Sequence, residues 1–171
     1  MKHNAKDVPV SVFIATSIIV IFSMYVSTAI KQIPCGKDIF SKFYSNFIHV
    51  DTPHLIFNLI AIYALSRVEL DIGSKKFIGL ITFLVILSTI LETIVYTIFK
   101  DLPCSVGFSG VLFGVLVWEL ITKKGLDLLT ILPAVGLIFV SKATNPKSSL
   151  IGHSIGAISG LICGALWIKV Q

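Results

Sequence analysis

Long apolar runs separated by short polar connections dominate the chain. Six such runs can be drawn, near Val10 to Ile30, His54 to Leu70, Phe77 to Phe99, Ser109 to Thr122, Leu126 to Ser141 and Leu150 to Ile168. A helix crosses the hydrocarbon of a bilayer in about 20 residues. Backbone groups in lipid must pair without help from water, and no strand alternation runs through these segments, which predicts helices rather than barrel strands. The expected fold is an all-α integral membrane protein, a bundle of six transmembrane helices forming a single membrane domain over residues 1–171.

Composition agrees with that pattern. With 171 residues, 55% of them hydrophobic and 13% charged, the chain is too apolar to hide its surface inside a water-soluble globule. Lys2 and Lys6 precede the first run as in a secretory signal, but the run is too long for that and lacks a small-residue cleavage site, so a retained span is expected. The net charge of +5 is spread over the connections, which fits a lipid bilayer with an anionic surface and argues against nucleic acid. Lys2, Lys6, Arg67, Lys75, Lys76, Lys123, Lys124 and Lys169 fall on one side of the bundle. Lys31, Lys37, Lys42, Lys100, Lys142 and Lys147 fall on the other. The larger group belongs inside, which leans toward a cytoplasmic N-terminus of a multi-pass protein.

Cys35, Cys104 and Cys163 match no zinc or redox spacing, and no metal or cofactor site is expected. Cys35 and Cys104 both fall in outer connections and can pair in an oxidising compartment, although three free thiols is the simpler reading. The longest connection, Lys31 to Pro53, carries Ile39, Phe40, Phe43, Tyr44, Phe47 and Ile48, more apolar weight than a solvated loop needs. It is expected to lie half-buried in the membrane interface.

The fourth run is short and begins abruptly after Leu-Pro-Cys-Ser-Val-Gly. A helix that starts partway into the membrane exposes its first amides to protein or to a water-filled cavity. Gly110 and Gly114 lie four apart on this helix, and Gly152, Gly156, Gly160 and Gly164 recur at the same step on the sixth. Four residues turn about 40° beyond one circuit, so each set forms a smooth face on which backbones approach closely. Ser109 begins one face and His153 lies beside the start of the other. If alternate spans run antiparallel, these two residues share a depth, and an imidazole beside a serine hydroxyl is the usual device for making it a nucleophile. The Ser109 amide at a helix N-terminus can donate to a developing oxyanion. His54 and Asn58, four apart on one face of the second helix, can supply further donors. Alone, each of these groups reads as packing or an inter-helix hydrogen bond; their convergence at one depth argues for a site. Glu119 is expected to pair with Lys123 one turn on. Glu92 is either a buried hydrogen-bonded carboxyl or the border of an aqueous cavity, and no catalytic role is assigned to it.

His49, His54 and Asn58, then Gly107-x-Ser109-Gly110, then His153-x2-Gly156-x3-Gly160, in that order on the second, fourth and sixth helices, resemble the rhomboid family of intramembrane serine proteases. Glu69 and Gly73 in Leu65 to Phe77 also stand at matching places, and the resemblance covers nearly the whole chain. It implies Ser109 as nucleophile and His153 as general base in a dyad without a third acid. It implies His54, Asn58, Gly107, Phe108 and the Ser109 amide at the oxyanion and substrate-binding site, with Gly110, Gly114, Gly156 and Gly160 packing the helices. The implied partners are single-pass transmembrane protein substrates, cut near the outer membrane edge through an acyl-enzyme; the oligomeric state is left open. The Trp-Arg pair common in the family's first loop is absent from Lys31 to Pro53, and Phe113 stands where many members have tyrosine. Two other readings stay open: a non-catalytic rhomboid-like protein of the derlin or inactive type that binds membrane clients, and a small transporter or channel.

Overall fold

A computed structural model of the chain describes residues 4–29, 35–124, 132, 136 and 149–170. Among them a 3₁₀ turn, Ala5–Asp7, precedes six α-helices: α1 (Pro9–Val26), α2 (Ile39–Ser45), α3 (Thr52–Ile72), α4 (Ser74–Ile98), α5 (Ser109–Lys124) and α6 (Leu150–Val170), with no strand. Five predicted spans fall on α1, α3, α4, α5 and α6. The remaining one, Leu126 to Ser141, lies outside the described residues except for Leu132 and Gly136. The connection expected at the membrane interface contains α2, whose Phe40 is 74% exposed.

Local chemistry sets the helix boundaries. Asp51 caps α3 by accepting a hydrogen bond from the His54 amide at 2.8 Å, and Pro53 sits in the first turn, where its missing N–H costs nothing. Gly73, at φ +82°, lets α4 start directly after α3, a backbone conformation that a residue with a Cβ rarely adopts. The start of α1 is capped from afar. Buried Glu69 of α3 accepts from the Val10 amide at 2.9 Å, the Ser11 amide at 2.8 Å and the Ser11 hydroxyl at 2.7 Å. It also accepts from the Ser74 hydroxyl at 2.7 Å, so one carboxylate ties α1, α3 and the start of α4 together. A negative charge at the positive end of α1 is favoured twice, by the dipole and by the free amides.

α5 occupies the middle, packed against α3, α4 and α6, while α1 lies on α3 and α2 lies on α4. Val111, Val115 and Trp118 of α5 join Ile18, Leu84 and Val68 in one continuous core. Large apolar side chains also point outward, among them Phe13, Phe57 and Tyr63, an arrangement suited to lipid and costly in water. Among the described residues α1, α4 and α6 are long and apolar enough to cross a membrane. α5 has 16 residues, short for a full crossing.

Candidate active site

Backbone contact between α5 and α6 builds the site. A Cβ on Gly156 would collide with the carbonyl of Gly110, and one on Gly160 with the carbonyl of Gly114. Conversely, a Cβ on Gly110 would stand 2.9 Å from the Gly152 oxygen, and one on Gly114 would stand 3.0 Å from that of Gly156. The pairing ascends together on both helices, so α5 and α6 run parallel with their N-termini at one level. At that level His153 Nε2 lies 2.9 Å from Ser109 Oγ. His153 is 4% exposed, and its ring stacks on Phe113, with ring centroids 4.4 Å apart and planes 30° from parallel.

The approach to Ser109 is shaped by Gly107, at φ +106°. A Cβ there would stand 2.5 Å from both Cε1 and Nε2 of His54, so the imidazole edge of α3 rests against the backbone that leads into the serine. Phe108 points into the core and contacts Phe47, centroids 5.7 Å apart. Buried Asn58 donates from Nδ2 to the His54 carbonyl at 2.9 Å; its second amide hydrogen is not used by that bond. His49 is fully buried with its ring 4.9 Å from that of His54. Burial, helped by the neighbouring His54, pushes the His49 imidazole down to about 4 and keeps it neutral. His54, Asn58, Gly107, Ser109 and His153 therefore gather at one end of the bundle, whereas Gly114 and Gly160 lie deeper along the α5–α6 seam.

The reading of three free thiols is overturned. Cys35 and Cys104 form a disulfide, because α2 packs on α4 and brings the segment before it to the connection between α4 and α5. Cys163 remains a buried thiol. Glu119 pairs with Lys123 at 3.0 Å as expected, and also with Arg67 at 3.0 Å, while Lys123 reaches Asp71 at 2.7 Å. Glu92 is a buried carboxyl. Residue-by-residue reading missed the Ser45 carbonyl, which accepts from the Gly107 amide at 2.9 Å, the capping role of Glu69, and the burial of Lys42. The one signal for Lys42 was Glu92, an acid about two turns inside the end of a span, where a carboxylate calls for a counter-charge from elsewhere.

Residues 37–170 match the Rhomboid domain. A protein of Acanthamoeba polyphaga mimivirus named for the rhomboid family is 33% identical over 132 residues, 74% of either chain. Rhomboid-like protein 14, mitochondrial, of Arabidopsis thaliana is 26% identical over 154 residues, covering 79% of this chain and 44% of the plant protein. With the domain match running from α2 through α6 and, among the described residues, three helices long and apolar enough to cross a membrane, this chain belongs to the rhomboid family of integral membrane proteins.

Proposed function

We propose that the chain is an intramembrane serine endopeptidase that cleaves transmembrane segments of membrane proteins. The observation that carries this reading is the 2.9 Å contact between Ser109 Oγ and His153 Nε2 at the paired N-termini of α5 and α6. In the proposed reaction His153 takes the proton from Ser109 as Oγ attacks the scissile carbonyl. The oxyanion forms beside the Ser109 amide, where the dipole of α5 favours negative charge, and His54 and Asn58 donate to it. His153 then gives its proton to the leaving amine, and water, deprotonated by the same imidazole, releases the acyl group. Phe113 holds the ring orientation by stacking, in place of a third acid.

A serine at the N-terminus of a short helix suits a substrate helix that unwinds near the membrane edge. The Cys35–Cys104 disulfide lies at the same end as Ser109 and favours placing that end in an oxidising, non-cytoplasmic compartment. Purified protein in detergent is expected to react covalently with a serine-directed fluorophosphonate, with labelling lost in Ser109→Ala and His153→Ala. Folded wild type that resists several such probes, yet co-purifies with an uncut membrane client, would identify a client-binding rhomboid-like protein instead.

A further inference from the structure

Lys42, Glu92 and Tyr96 have no part in that chemistry, yet all three are buried. Lys42 of α2 is 0% exposed, a rare state for an ammonium. Its Nζ sits 3.3 Å from the centroid of the Tyr96 ring. Burial pushes the Lys42 ammonium down from its ordinary range, and the charge of Glu92, one turn before Tyr96 on α4, pulls it back up. Tyr96 has a second contact, since its hydroxyl donates to the Pro103 carbonyl at 2.6 Å. On the α2 side, Asn46 Nδ2 donates to the Lys42 carbonyl at 2.9 Å and to Thr89 Oγ1 of α4 at 3.3 Å. The next link is the Ser45 carbonyl, which accepts from the Gly107 amide at 2.9 Å.

Both ends of residues 103–107 are therefore held by groups that meet at Lys42. Tyr96 grips Pro103, and α2 grips Gly107 through Ser45. This short segment feeds directly into Ser109, and Gly107 has the left-handed conformation that its neighbours must maintain.

We propose that Lys42 is a positioning residue for the serine. Its ammonium, seated over the Tyr96 ring and near Glu92, clamps α2 to α4 so that Ser45 and Tyr96 hold residues 103–107 where Ser109 meets His153. The kinetic part of this inference rests on the protease reading; the conformational part does not.

Full-length Lys42→Met, which removes the charge and keeps the length, tests it in detergent. Cleavage rates normalised to fluorophosphonate-titrated sites are expected to show kcat lower by about tenfold with KM within about twofold of wild type, the mark of a misplaced reacting group. Amide hydrogen exchange is expected to quicken within residues 103–109 by about tenfold while α1 and α6 keep wild-type protection. Wild-type kcat together with wild-type exchange overturns the proposal, as does faster exchange spread evenly over every helix, which marks general destabilisation. Tyr96→Phe keeps the ring under the ammonium and removes only the bond to Pro103; it is expected to quicken exchange in the same segment by roughly threefold. If Lys42→Met does not fold, Tyr96→Phe decides, and unchanged exchange there overturns the clamp. A wild type that neither labels nor cleaves would sink the protease reading, while the exchange comparison still decides this one.

Discussion

His49 and His153 lie at the same end of the bundle in very different surroundings. His153 faces the Ser109 hydroxyl and an aromatic ring, whereas His49 is fully buried beside His54 and is pushed down to about 4 by that burial. The unfolded chain protonates His49 near 6.5, so between these values unfolding takes up a proton. Its contribution to stability is complete above about pH 6.5 and falls progressively as pH drops toward 4, by an upper bound on the order of 3 kcal/mol. Thermal unfolding in detergent is expected to occur at a lower temperature at pH 5 than at pH 7.5, with the difference reduced in His49→Phe. An identical pH dependence in that variant would assign the effect to other groups. Ser109 and His153 were legible as candidates because each lies beside a glycine repeat that fixes which face is bare. Lys42 was not, because a lysine in a connection expected at the membrane interface reads as reaching water until the helix beneath it is known.

At the scale of elements, the α5–α6 seam allows the sharpest contrast. Gly156→Ala would drive a Cβ into the Gly110 carbonyl, and backbone cannot move aside as a flexible side chain can. The helices must part, and the serine–histidine contact parts with them. Fluorophosphonate labelling is expected to slow by about a hundredfold, in line with the cost of misplacing reacting groups by about 1 Å, and thermal stability is expected to fall. Gly79 of α4 is exposed and an added Cβ would meet nothing within 4 Å, so Gly79→Ala should leave labelling unchanged and stability equal or slightly higher. Equal behaviour of the two variants would mean that the seam does not position the site. The seam was readable as a small-residue repeat, but its register was not: a glycine face does not say which carbonyl it will meet.

Across the whole molecule, α5 is packed against α3, α4 and α6 while the connection before it is tied to the rest by the Cys35–Cys104 disulfide, two residues 69 apart in sequence. Both cysteines are exposed, so a reductant can reach them. Reduction with dithiothreitol, or the double change Cys35→Ser with Cys104→Ser, is expected to lower the unfolding temperature by an amount corresponding to roughly 2–4 kcal/mol. Labelling of Ser109 should also slow, because Cys104 adjoins Pro103 at the head of the segment leading to the serine. Unchanged stability and labelling would show the bridge to be idle.

Span length, helical class and the bare glycine faces followed from residue order, because membrane thickness, backbone pairing and side-chain size act locally along the chain. The family motif added the serine and histidine as partners. Which carbonyl each glycine touches, which carboxylate caps α1, which cysteines join and which ring receives the Lys42 ammonium depended on how the helices assemble. Those contacts join residues far apart in sequence, and each forms only when two independently formed helices or loops are brought to one register and one depth.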